Sequence, residues 1–165
     1  MKGKRQWQPR ELRLVAEYLE KYYSKYTYQM RVRLGSLHPS LRWEEMTEEE
    51  RRMVGVWRRW ADAIVVTDSE VILIEAAIRP EPGDITKLLL YEKLLYHTPE
   101  LKDIVSDRYV VKELVYALED PLVVELAREH GIRVRYFKPN WVDDYLKLLY
   151  HRERRSPLTN LEDLK

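Results

Sequence analysis

Apolar and polar residues change period several times along the chain, and each change marks an element. Leu12, Val15, Ala16, Leu19 and Tyr23 recur at three- and four-residue spacing, which predicts a helix over residues 10–24 behind Pro9. The segment TYQMRVRL, residues 27–34, then alternates. Tyr28, Met30, Val32 and Leu34 fall on one side and Gln29, Arg31 and Arg33 on the other, as in a half-exposed strand stopped at Gly35. Residues 36–52 are polar, and Thr47 with Glu50 three positions later forms a capping-box pattern for a short helix. Two runs that are apolar on both faces, WADAIVVT (60–67) and VILIEAAI (71–78), flank only Asp68, Ser69 and Glu70, which predicts a hairpin of central strands.

The turn RPEPGD ends in Asp84, read as the N-cap of a helix (ITKLLLYEKLLYH) that is apolar almost all round and so buried. YVVKELVYA (109–117) returns to strand. Asp120, Pro121 and Gly131 supply the cap, first position and stop of another helix. Residues 132–137 make a last strand and 140–150 a closing helix, before a charged tail at 151–165. This order predicts an α/β fold with a mixed central sheet and helices on both faces. It forms one domain over 1–150, in which 36–52 is an insert between the first and second strands. The expected core includes Leu12, Val15, Leu19, Ile64, Val66, Leu73, Leu88, Leu95, Val111, Leu122, Val123 and Leu126.

Composition narrows the functions. With no cysteine in 165 residues, neither a disulfide scaffold nor a cysteine-ligated zinc site can form. No apolar run approaches a bilayer span, so a soluble, cytoplasmic protein without membrane contact is expected. A charged fraction of 35% with few glycines suits a thermophilic source. The net charge of +1 conceals an asymmetry: residues 1–60 hold fourteen Lys and Arg against eight Glu. That half is either a phosphate-binding face or a mixed solvated surface. Trp57 and Trp60 beside Arg58 and Arg59 either stack on bases or belong to core and edge. The four histidines are scattered, and no glycine-rich phosphate loop occurs.

Asp62 and Glu75 interrupt the two hairpin strands. A buried, unpaired carboxylate costs several kcal/mol, so two of them need a compensating partner. Mg²⁺ is one such partner, because it accepts one or two carboxylates plus carbonyls and water. Arginine is another, with Arg58, Arg59 and Arg79 near in sequence.

The arginine-rich WRRWADAIVV with Asp62, the IEAAI with Glu75, and the order of elements around them resemble the PD-(D/E)xK nuclease superfamily, in its resolvase and RecB-type branch. The resemblance runs from about residue 10 to residue 141. It implies a restriction-endonuclease-like fold, DNA as partner, and hydrolysis of phosphodiester bonds with Mg²⁺ or Mn²⁺ held by Asp62, Glu75 and the carbonyl of Ala76. Glu20 on the first helix is a further ligand by this resemblance, and a homo-oligomer is compatible with it. Where the family motif has lysine, this chain has Ala77. Lys87, with Tyr91 on the same helix face, is one replacement. Arg79 on the motif strand is another, although Lys87 also reads as a surface residue and Arg79 as a turn residue. A non-catalytic DNA-binding or assembly protein from a phage or mobile element, and an interaction module with salt-bridged acids, are the competing readings.

Overall fold

The computed structural model describes residues 9–35, 45–50 and 59–154. Helix α1 (Pro9–Tyr23) leads into β1 (Thr27–Leu34), and the hairpin strands follow as β2 (Arg59–Val66) and β3 (Glu70–Ala77). Helix α2 (Pro82–Leu95), a 3₁₀ turn (Pro99–Leu101) and the short α3 (Lys102–Ser106) lead to β4 (Tyr109–Tyr116). Then come α4 (Pro121–Glu129), β5 (Arg133–Tyr136) and α5 (Trp141–Arg154). The five strands lie in sequence order, β1, β2 and β3 antiparallel and β3, β4 and β5 parallel. The expected α/β fold with a mixed sheet between helices is therefore present.

Two cores hold the layers together. On one face α1 packs Leu14, Val15, Tyr18 and Leu19, with Val142 of α5, against Ile72, Ile74 and Val115. On the other, α2 and α4 pack Ile85, Leu88, Leu95, Val123 and Ala127 against Ile64, Leu73 and Leu114. No helix among the described residues is long and apolar enough to cross a membrane.

Several details differ from the pattern reading. The buried seam of α1 runs through Leu14 and Tyr18, with Leu12 and Ala16 only half-buried, because the Tyr18 hydroxyl finds a buried acceptor in Glu113 at 2.7 Å. Of the expected core residues, Leu122 is 77% exposed, since α4 turns Val123, Val124 and Ala127 inward instead. Leu12, Val66, Val111 and Leu126 are half-buried and the other seven are buried. Helix α2 starts earlier than read, with Glu81 as N-cap and Asp84 at its third position; the Glu81 backbone N–H donates to Asp84 Oδ2 at 2.9 Å. That helix is also not buried all round, because Leu90 lies on its solvent side. The closing helix runs on to Arg154, so the boundary drawn at 150 falls inside it.

Other turn readings hold. The Asp120 side chain accepts from Val123 N at 3.4 Å, and Gly131 has the left-handed φ of 70° that stops α4. Thr47 N donates to Glu50 Oε2 and Glu50 N to Thr47 Oγ1, the expected capping box. Apart from residues 45–50, the insert at 36–52 lies outside the described residues, as do Trp57, Arg58 and the tail beyond 154.

Strand β1 departs most from simple alternation. Met30 and its cross-strand partner Ala63 pack on the α1 side, whereas Val32, Leu34 and Ala61 pack on the α2 side. Residues 30 and 32 would share a face in a regular strand. The switch occurs at Arg31, whose φ of 53° lies in the left-handed region, and Arg31 and Asp62 stand between those two cross-strand pairs. A side chain at that φ costs on the order of 1–2 kcal/mol that glycine does not incur. Arg31→Gly gives up the side chain's stacking on Trp60 but relieves that strain, and is therefore expected to lose less stability than Arg33→Gly. Arg33→Gly, at an ordinary strand position, should lose about 1 kcal/mol. Thermal unfolding followed by circular dichroism checks the pair; equal losses in both variants would refute the strain.

Candidate active site

The ladder between β2 and β3 begins at Val66–Val71 and ends at Ala63–Ile74, although both strands continue beyond it. Past that point Ala61 and Trp60 stay paired with β1, while Glu75, Ala76 and Ala77 stay paired with β4. The sheet parts there. The buried Ala76 N–H would be left without its ladder acceptor, and Asp62 Oδ2 accepts from it across the gap at 2.8 Å. Asp62 is thereby fixed beside the strand that carries Glu75.

Glu75 is only 5% exposed. Its Oε1 accepts from Lys87 Nζ at 2.7 Å, and its Oε2 is buried without a hydrogen-bond partner. Lys87 extends from α2 and also donates to Asp84 Oδ1 at 3.2 Å. The α2 capping interaction that engages Asp84 Oδ2 thus aims its other oxygen at the lysine. Tyr91, one turn further along, is buried under the electrostatic influence of Glu75.

The electrostatics follow from this crowding. Burial pushes the Glu75 carboxyl up, the Asp62 charge pushes it further, and Lys87 opposes both; the balance stands at about 8. Burial likewise raises Asp62, against the lowering effect of the Ala76 amide and Lys87. Burial lowers Lys87, but its hydrogen bond to Glu75 and the neighbouring acids outweigh that and hold it above the ordinary lysine value. Tyr91 is pushed up to about 12, first by burial and then by the Glu75 charge.

The site therefore brings together Asp62, Glu75, Ala76, Lys87 and Tyr91. Two other residues read as site members lie elsewhere. Arg79 falls past the end of β3, is 71% exposed, and pairs with Asp120 at 3.5 Å. Glu20 is exposed on α1. On the first helix it is Glu11 whose carboxyl is raised, by burial and by the charges of Asp62, Asp84 and Glu81. Glu11 lies in the first turn of α1, outside the stripe used to orient that helix, so periodicity alone could not select it. Among the described residues no arginine closes off these acids: the partner of Glu75 is a lysine, and that of Asp62 is a backbone amide.

A third acid inside an apolar strand is not among the residues that the sequence reading singles out. Glu113 of β4 is fully buried, on the α1 side of the sheet. It accepts from Tyr18 at 2.7 Å, from Tyr23 at 3.1 Å and from Arg133 at 3.4 Å. Every charge there is answered by protein, which marks a structural role. Glu75 instead keeps one oxygen unanswered.

Among the described residues no group of three or more His, Asp or Glu side chains is arranged to hold a metal ion. Asp62, Glu75 and the Ala76 carbonyl remain a set that a cation content with two carboxylates could use, and the orphaned Glu75 Oε2 fits such a cation. Neither protein-family models nor curated proteins give a match to this chain.

Glu75 also makes stability depend on pH. Its folded pKa of about 8 exceeds the ordinary 4.5, so the folded chain keeps a proton that the unfolded chain releases between those values. The resulting stability is complete below about pH 4.5 and is lost as pH rises through about 8. Glu75→Gln stays neutral throughout. Its melting temperature should therefore pull ahead of the natural protein's as pH climbs through this window. A gap that did not widen with pH would show that Glu75 carries no such shift.

Proposed function

We propose that this chain is a metal-dependent DNA nuclease of the PD-(D/E)xK kind, with Lys87 supplying the cation that the motif strand lacks at Ala77. The observation that carries the reading is the Lys87–Glu75 contact of 2.7 Å at the place where β2 and β3 part. The element order and mixed sheet support a restriction-endonuclease-like topology. Asp62, Glu75 and the Ala76 carbonyl would hold Mg²⁺ or Mn²⁺, with Glu11 close by. When bound, that cation lowers the pKa of a water and draws negative charge from a phosphate oxygen.

The protein's own groups divide the remaining work. Lys87, held above the ordinary lysine pKa, stays protonated at neutral pH. It therefore acts as a charge opposite the developing phosphorane and not as a general base. Asp84 positions it through their 3.2 Å hydrogen bond. Tyr91, raised to about 12, keeps its O–H as a donor. Asp62 is oriented by the Ala76 amide.

One observation favours a second reading, a nuclease fold kept for DNA binding or assembly. Lys87 already occupies one oxygen of Glu75 in the absence of any metal, and position 77 holds an alanine that is 4% exposed.

Incubation with single-stranded, duplex and branched DNA in Mg²⁺ or Mn²⁺ tests both readings. Cleavage is expected, with Asp62→Asn inactive. Lys87→Ala should be slower by about 10²–10³-fold, the usual loss of one transition-state charge stabiliser, with DNA binding retained. A natural protein that binds DNA but cuts no form of it would establish the second reading. One that neither binds nor cuts would overturn both.

A further inference from the structure

We propose that the cavity between the C-terminal half of α1 and β5 binds a nucleotide, its ring against tyrosines and its phosphate on Arg135 and Lys21. This goes beyond the nuclease reading and does not depend on it. Lys87 reaches Glu75 from α2, whereas this cavity lies between α1 and the sheet. It holds about 560 Å³, with Tyr18, Tyr22, Tyr23 and Tyr26 on one wall and Arg133, Arg135 and Tyr136 on the other. Small-ligand sites have about this volume. β5 forms the opposite edge of the sheet from β1, whose end at Leu34 pairs with the start of β2 at Arg59. Helix α5 runs from Trp141 beside Glu17 to Tyr145 beside Arg10, toward the start of α1 and away from the cavity. The ends of the described chain at residues 9, 35, 59 and 154 thus lie away from it.

The charges there are unevenly answered. Arg133 donates to Glu113 at 3.4 Å and to Glu70 at 3.2 Å, and the Tyr18 and Tyr23 hydroxyls also donate to Glu113. Both acids are thereby satisfied. Arg135 approaches Glu113 only to 3.9 Å, beyond a hydrogen bond, and its side chain is 54% exposed. Lys21 stands 5.2 Å from the Tyr22 ring centroid and 5.6 Å from that of Phe137, and among the described residues no acid pairs with it. The rings are similarly uncommitted. Tyr22, Tyr26 and Tyr136 are each about half exposed, and among the described residues their hydroxyls make no hydrogen bond. Three such rings at one cavity leave apolar area in water that a flat ligand would cover. Their hydroxyls both donate and accept, as the edge of a base requires. Two cations suit a phosphate, which takes several charge-assisted hydrogen bonds. A free nucleotide and the terminal nucleotide of a strand share this chemistry.

The test is calorimetric titration of the natural protein with adenosine and thymidine monophosphates, in EDTA so that no metal-dependent cleavage intervenes. Binding is expected with Kd below about 1 mM. Adenosine and inorganic phosphate, each carrying half of the ligand, should bind at least about tenfold more weakly. Arg135→Ala should weaken nucleotide binding about tenfold or more, through the lost charge-assisted hydrogen bonds. Tyr136→Ala should weaken it about fivefold or more, through the lost stacking. Should Arg135→Ala fail to fold by circular dichroism, Lys21→Ala carries the same test. A short oligonucleotide that binds more tightly than the monophosphates, with the same loss in Arg135→Ala, would keep the site and make a strand end its source. No heat from either monophosphate up to about 5 mM would overturn the proposal. Inorganic phosphate binding as tightly as the nucleotides would also overturn it, as an anion site only. So would unchanged binding in folded Arg135→Ala, whatever the outcome of the cleavage assay.

Discussion

The hydrogen bond from the Ala76 amide to Asp62 Oδ2 bridges the break in the sheet and organises the corner around it. Once the β2–β3 ladder stops at Ala63–Ile74, a buried amide needs an acceptor, and the only economical one is a side chain from the departing strand. An aspartate there answers the amide with one oxygen and brings a second charge up to Glu75. That charge, with burial, raises Glu75. The pressure is relieved in part by Lys87, which Asp84 holds, which in turn is held by the first turn of α2. The chemistry of the corner is thus inherited from a failure of strand pairing.

Glu75 and Glu113 show why burial of an acid does not by itself signal function. Both interrupt apolar strands, and both lie almost or wholly out of solvent. Around Glu113 two tyrosine hydroxyls and Arg133 answer the carboxylate, and removing any partner of such a network is destabilising. Glu75 receives one lysine, itself half exposed, and repulsion from Asp62. A fold that needed an acid only for stability would complete its shell, as it does at Glu113. The incomplete shell is the difference that points toward a ligand.

What was legible in the sequence follows the strength of the local signal. The eight residues of β1, the turn at Asp68 and Ser69 and the α4 cap each depend on chemistry within a few residues, and each was readable. The pair Asp62 and Glu75 was readable because an acid in an apolar run has no local explanation. Glu113 carried the same signal, yet its partners Tyr18, Tyr23 and Arg133 come from distant elements. Glu20 was read as the acid that α1 offers, yet it is exposed, because the face of α1 that meets the sheet depends on how that helix crosses it. Asp84 looked like an N-cap because it is the right residue type one turn too late; proline at the first position and Glu81 before it set the start instead. Nothing in TYQMRVRL announces a left-handed residue, since arginine has no preference for it.

Locally unfavourable features in a folded chain are informative when they coincide. Arg31 holds a strained φ, the β2–β3 ladder breaks early, Asp62 and Glu75 repel one another, and Glu75 Oε2 has no partner. Each costs stability by a separate mechanism, and all four meet at one corner where β1, β2 and β3 come together. Away from it, cap, strand and core choices largely agree with the fold they occupy. Selection removes only features that take a fold below the stability it needs, so any one of these could persist by itself, and it is their coincidence that is informative. Their concentration at a corner that also presents Lys87 is what supports reading it as a site. Stability alone would favour a complete shell around Glu75, and the incomplete one is what supports the proposal that this corner meets a ligand.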